Sequence, residues 1–213
     1  MKRILLLILS LMLAAACAAS AETAFESWLP EGAAEVSQID AGGLRILTYA
    51  ISDTGEQLTL TVDAATGDVR MLYGMCAAAG EGAPMSADSA KTILETVYPG
   101  ALVISSAEET TNIGTLRRLN IVSADLCGYV LFDSEKICGR DLDFTGCMKD
   151  GRLTMQGAIS VLKLLRPEAT ISEIELDDDD GLLLYEGSAH LDGVEYEFEL
   201  NAHTGKLLQW DRD

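Results

Sequence analysis

Two histidines, five cysteines and an excess of carboxylates are the residues of this chain whose types could do chemistry. His190 and His203 belong to no H-E-x-x-H pattern, and no two cysteines are spaced C-x-x-C, so no local spacing gathers metal ligands. His190 reads as the cross-strand partner of Glu195, and His203 as a turn residue. Ser/His/Asp sets could be assembled from so many hydroxyls and acids, but no nucleophile-elbow sequence suggests one. The run Asp177 to Asp180 could attract calcium. Taking Gly181 as the invariant glycine of an EF-hand loop, however, places Leu176 where the first acidic ligand belongs, so that template fails and a solvated turn is expected. These residues predict a noncatalytic protein with no cofactor and no metal.

The cysteines depend on compartment. Met1-Lys-Arg, an apolar stretch from Ile4 to Leu13 and a small-residue region form an export signal too short for an ordinary membrane span. Ala19-Ser-Ala21 offers an A-x-A cleavage site before Glu22. Cys17, after Ala14-Ala-Ala, offers lipidation instead, although alanine stands where such signals usually carry leucine three residues earlier. Cleavage after Ala21 leaves Cys76, Cys127, Cys138 and Cys147, an even number that permits two disulfides in three connectivities. Cys76 and Cys147 hold similar late positions in two sequence units, which makes their pairing an expectation to test; four free thiols are the other state. A nucleophilic cysteine is not expected, because no histidine lies nearby in sequence.

The formal net charge is −19, and losing Lys2 and Arg3 with the signal makes it about two units more negative. Such a surface repels nucleic acid and anionic lipid and suits a soluble exported protein, or one meeting a basic partner patch. Membrane association then requires lipidation or an uncleaved signal.

The elements that must position these groups are clearest between Leu153 and Asp213. Thr154 is an N-cap, and Ala158, Val161, Leu162 and Leu165 recur at the spacing of one buried helical face before Arg166-Pro167. Ile174 and Leu176 alternate with Glu173 and Glu175 as in a half-buried strand, with Ile171 out of step. A two-residue turn at Asp192-Gly193 sets Leu191 opposite Val194, Ala189 opposite Tyr196, Gly187 opposite Phe198 and Tyr185 opposite Leu200. On the other face His190 meets Glu195, Ser188 meets Glu197 and Glu186 meets Glu199. Asn201-Ala-His-Thr-Gly205 then turns the chain into a closing strand from Lys206 to Trp210.

Earlier stretches echo this pattern. A turn at Thr54-Gly55 sets Ile51 opposite Leu58, Tyr49 opposite Leu60 and Leu47 opposite Val62. Asp63-Ala-Ala-Thr-Gly67 matches Asn201 to Gly205 about 138 residues later, and Ser86 to Pro99 aligns without a gap on Thr154 to Pro167 at a shift of about 68. The middle strands are expected at Leu102 to Ser106, Thr115 to Val122, Cys127 to Phe132 and Ile137 to Phe144, with Asp133 to Lys136 replacing the Thr-Gly turn. The fold class expected is α+β, with helix-plus-antiparallel-meander units repeated. The divisions are residues 1–21, signal peptide; 22–83, a strand unit without a clear helix, led by Ala24 to Pro30 with aromatics to cover a sheet edge; 84–150, a divergent unit; and 151–213, the clearest one.

The last division resembles a PepSY domain: a helix ending Arg-Pro-Glu-Ala, the strand Ile-Ser-Glu-Ile-Glu-Leu, an acidic turn, Leu-Asp-Gly-Val-Glu-Tyr-Glu-Phe-Glu-Leu and Asn-Ala-His-Thr-Gly-Lys. Ala34 to Tyr73 resembles the strand portion alone, and the middle stretch matches chiefly through its helix. The resemblance implies a noncatalytic module of exported bacterial proteins, found also in propeptides of secreted metallopeptidases, where restraint of peptidase activity has been proposed. The layout is also similar to that of β-lactamase inhibitory proteins. Expected partners are an extracytoplasmic peptidase or another envelope protein; the face carrying Glu186, His190, Glu195, Glu197 and Glu199 reads as a solvated outer face or, more sharply, as an acidic contact surface for a basic partner. The alternative is an envelope-anchored structural or sensory lipoprotein held by Cys17.

Overall fold

The computed structural model describes residues 25–179 and 181–213. The export signal, its cleavage site and Cys17 lie outside the described residues, as does Asp180. The chain divides into two compact units, Met1–Leu72 and Tyr73–Asp213.

In the first unit a single 3-10 turn, Glu26–Trp28, precedes an antiparallel meander of β1 (Ala33–Ala41), β2 (Leu44–Ile51) and β3 (Glu56–Asp63). Phe25 of the lead-in is buried, whereas Trp28 is half-buried. Leu47, Tyr49 and Ile51 alternate inward on β2, and Leu58, Leu60 and Val62 do so on β3. Their register differs from the expected one: Leu47 pairs with Leu60, Tyr49 with Leu58, and Ile51 with Glu56. The loop is four residues long, closed by the Gly55 N–H donating to the Ile51 carbonyl (2.9 Å), so Thr54-Gly55 is its end and not a complete turn. The displacement is even and therefore leaves every side chain on its expected face.

The chain enters the second unit within β4 (Val69–Cys76). Helix α1 (Ala87–Val97) begins at Ser86, whose Oγ accepts the Ser89 N–H, and buries Ala90 and Leu94. Strands β5 (Leu102–Thr111), β6 (Gly114–Val122), β7 (Cys127–Phe132) and β8 (Ile137–Asp143) follow as an antiparallel meander. β5 extends five residues beyond the expected stretch, because Glu108 and Glu109 continue it and pair with Arg117 and Arg118 of β6. The connector before α1 is fastened to the β7–β8 turn: Gly80 N–H donates to Asp133 Oδ2 (2.9 Å) and Met85 N–H to the Asp133 carbonyl (2.9 Å). A short hairpin not anticipated from the sequence, β9 (Met148–Lys149) with β10 (Arg152–Leu153), leads to the second helix.

Helix α2 (Met155–Leu165) starts where Thr154 Oγ1 accepts the Gly157 N–H (3.0 Å), and its N-cap backbone is extended. It stops before Pro167, which cannot continue a helix. Strands β11 (Thr170–Asp179), β12 (Leu182–Leu191), β13 (Val194–Asn201) and β14 (Leu207–Arg212) complete an antiparallel sheet in sequence order. The β12–β13 register agrees with the sequence reading at every pair. Asp192 and Gly193 both have positive φ, 53° and 76°, as a type I′ turn requires. Ile171 is out of step because a bulge lies between Ile171 and Glu173. The acidic run is corrected: Asp177–Asp179 are strand residues paired with β12, since β11 runs three residues past Leu176.

One core cluster joins Ala158, Val161 and Leu162 of α2 to Tyr185, Ala189, Phe198 and Leu200 beneath it. Leu165 packs at its margin. Phe198 is 2% exposed, and burying such a ring stabilises the fold by roughly 1.5–3 kcal/mol. Trp210 stacks on Tyr196 with ring centroids 5.4 Å apart, closing the sheet at β14. A second cluster contains Cys76, Leu116, Leu131 and Cys138. Among the described residues the protein is thus predominantly antiparallel β-sheet with two α-helices.

Candidate functional site

The surface that turns away from α2 is the one whose residues share a single chemistry. In β12 and β13 alternation sends Tyr185, Ala189, Phe198 and Leu200 inward, so their neighbours must face the other way. Glu186 pairs with Glu199, Ser188 with Glu197 and His190 with Glu195. β11 adds Glu175 opposite Glu186 and Glu173 opposite Ser188, while β14 adds Gln209 opposite Glu199 and Asp211 opposite Glu197. Two continuous cross-strand rows result, Glu175–Glu186–Glu199–Gln209 and Glu173–Ser188–Glu197–Asp211. Among the described residues no ion pair with lysine or arginine forms on this face.

A groove of about 310 Å³ is lined by Glu173, Glu175, Glu186, Gly187, Ser188, Glu197, Phe198, Glu199 and Gln209. Gly187 at its floor allows the β11 backbone to approach: a Cβ there would lie 2.0 Å from the Glu173 carbonyl oxygen. Burial first, then the negative charges of Asp177, Glu199, Asp179 and Glu175, raise the Glu186 carboxyl above its ordinary pKa. A surface of this kind attracts arginine and lysine side chains and is relieved by them.

The five residues expected on a contact face, Glu186, His190, Glu195, Glu197 and Glu199, all lie on this side of the sheet. His190 is opposite Glu195 in register, but its Nδ1 hydrogen-bonds Ser172 Oγ (3.1 Å) on the other neighbouring strand. That Ser–His pair is exposed. His203 is a turn residue, with Nδ1 hydrogen-bonded to the Gly151 carbonyl (3.0 Å). Glu173, Glu175, Asp177 and Asp179 were absent from the expected face. Their signal was legible: acids at every second position from Glu173 onward continue the strand period through the stretch read as a turn.

The four described cysteines are buried free thiols. Cys76 lies with Cys138 in one buried cluster and Cys127 with Cys147 in another, each couple close enough for one thiol to shift the other's titration. The expected neighbourhood of Cys76 and Cys147 is therefore corrected. These residues lie in separate cores, Cys76 with Leu116 and Leu131 and Cys147 under α2.

Fold and surface define a helix laid on one face of a four-stranded meander, with the other face acidic and open. Residues 152–209 match the family described as peptidase propeptide and YPEB domain, and this part of the chain is a PepSY domain. No curated protein matches the chain. Among solved structures, the Bacillus megaterium YpeB C-terminal domain is similar at 13% identity and a TM-score of 0.43, over 91% of this chain and 96% of that one. A Clostridium difficile 630 protein provisionally described as a lipoprotein is similar at 13% identity and a TM-score of 0.28, over 62% and 96% respectively. Among the described residues no helix is long and apolar enough to cross a membrane.

Proposed function

We propose that the chain is an exported, noncatalytic interaction protein whose PepSY domain presents its acidic groove to a basic patch on an extracytoplasmic peptidase and so restrains that enzyme. The observation that carries this reading is the pair of acidic cross-strand rows without internal countercharge. Raised Glu186 gives the face a reason to bind, since a guanidinium set among these carboxylates relieves their mutual repulsion. The family description, which couples peptidase propeptides with YpeB, supports a peptidase over other partners. Lipidation of Cys17 would fix the same module to an envelope, and an acylated N-terminus in the intact mass of the mature chain distinguishes that arrangement from free secretion.

The test is peptide hydrolysis by the exported metallopeptidases of the source cell, with and without the purified mature chain. The wild-type protein slows at least one of them at low salt. The triple variant Glu175→Gln, Glu186→Gln and Glu199→Gln, which keeps the shape of the face, loses most of that effect. Equal rates with and without the chain across all of those enzymes overturn the proposal.

The same reading includes repetition of the unit, which three coincident details support. Bulges interrupt the first strand pair of each meander at Glu35/Ser37, Val103/Ser105 and Ile171/Glu173, each about 68 residues after the last. Asp63, Asp133 and Asn201 each accept, at Oδ1, the N–H groups two and three residues ahead. Ser86 and Thr154 cap the two helices at that same interval. Bulges and Asx turns are local devices that unrelated meanders need not place in step.

A further inference from the structure

We infer that oxidation closes two disulfides in this protein, Cys76–Cys138 and Cys127–Cys147, and that the second forms first. Each pair is isolated from the other by its own core. Cys76 and Cys138 share a cluster with Leu116 and Leu131, on strands β4 and β8, which are neighbours in the sheet. Cys127 begins β7 and Cys147 follows β8, both within the cluster under α2. Each couple is packed within one buried cluster, its thiols close enough for one to shift the other's titration, so bond formation requires a local adjustment of side chains.

The two pairs differ in access. Cys127 lines a cleft of about 210 Å³ with Tyr129, Asp141, Ser160 and Lys163, through which a small disulfide can reach the pair. The neighbouring Cys127 thiol lowers that of Cys147 below the ordinary range. Cys138 and Cys147 are both fully buried, so the cleft beside Cys127 is what separates the two pairs; burial, followed by the neighbouring Cys76 thiol, pushes the Cys138 thiol up to about 12. The chemistry is thiol–disulfide exchange. One protein thiolate attacks a sulfur of the oxidant disulfide and releases one thiol; the partner cysteine then attacks the protein sulfur of the mixed disulfide and releases the second. Two protons and two electrons leave the pair, and the oxidant departs as two thiols. The proposal rests on the exported reading solely for the presence of such an oxidant in the cell; the pairing is tested apart from it.

Lys91, Arg118, Lys136 and Arg140 place the four cysteines on four different tryptic peptides. The purified folded chain is exposed to oxidised glutathione, sampled over time, alkylated, digested without reduction and read by mass spectrometry. The expected products are cross-links joining Cys127 to Cys147 early and Cys76 to Cys138 late. Cys138→Ser retains the Cys127–Cys147 link and leaves Cys76 open to alkylation after unfolding; if that variant folds poorly, Cys127→Ser gives the reciprocal result. Cross-links joining Cys76 to Cys147 or Cys127 to Cys138, glutathione adducts without cross-links, or four thiols unchanged after prolonged exposure overturn it. Reversal of the order overturns the claim about access.

Discussion

Gly187 and Glu173 lie backbone against side-chain-free backbone: any Cβ on Gly187 would meet the Glu173 carbonyl oxygen at 2.0 Å. Gly187 also sits opposite Phe198, so the absence of a side chain serves both the bulge in β11 and the buried ring on β13. Gly187→Ala must push the β11 ladder outward. We expect a loss of roughly 1–3 kcal/mol, as for overpacking of a filled interior, read as a lower urea midpoint. Unchanged stability would show that β11 does not hold this close register.

Phe198→Ala tests the core under α2 by the opposite change. The ring is buried against the helix cluster and stacks with Trp210 at 6.3 Å between centroids. Its removal is expected to cost about 3–5 kcal/mol by loss of transfer energy and creation of a cavity. Thermal unfolding followed by near-ultraviolet dichroism of Trp210 reads both the midpoint and the loss of the stack.

What could be read from the sequence depended on whether one physical cause dominated locally. Asp192-Gly193 fixed its hairpin because a two-residue turn with positive φ at both positions leaves one register. Thr54-Gly55 looked alike, but with Ser52 and Asp53 it belongs to a four-residue loop, and local composition does not distinguish the two lengths. β1 carried little signal because its residues are largely exposed, so no apolar alternation marks it. The acidic face is half legible: the β12 and β13 acids follow from the hairpin, whereas Asp177 and Asp179 sit in an acid run whose local composition favours a turn as much as a strand. The cysteine couples could not be read, because they depend on which core each strand enters.

Asp133 shows a turn device that its sequence context conceals. It is 1% exposed; its Oδ1 accepts the N–H groups of Glu135 (2.8 Å) and Lys136 (2.9 Å), and its Oδ2 accepts that of Gly80. Burial pushes its carboxyl up, but these three N–H groups outweigh burial and hold it below the ordinary range. Asp133→Ala leaves the donors without that acceptor and is expected to cost about 1–3 kcal/mol, with Asp133→Asn costing less because an oxygen acceptor remains. Urea unfolding of the two variants at neutral pH measures the difference, and equal losses would assign the effect to charge rather than to hydrogen bonding.

The two kinds of carboxylate predict a stability maximum on the acid side of neutrality. Glu186, Asp141 and Asp143 are raised, in each case first by burial, so the folded protein holds their protons more tightly than the unfolded chain. Stability from these groups is full below their unfolded pKa values and is lost as pH rises through the folded ones. Asp133 and Asp63 are lowered, the latter first by the Arg70 hydrogen bond; their contribution is present above the unfolded pKa and disappears as pH falls through the folded value. The urea midpoint should therefore rise as pH is lowered from neutrality toward the unfolded carboxylate pKa of about 4 and fall again in stronger acid. Repulsion on the open face is screened by salt, so about 0.5 M sodium chloride at neutral pH should raise the midpoint and flatten the rise on acidification. Glu186→Gln removes one crowded charge and should reproduce part of the salt effect. A midpoint that declines steadily from neutrality downward would mean that the lowered aspartates govern the whole range and that crowding on the outer sheet face costs the fold little.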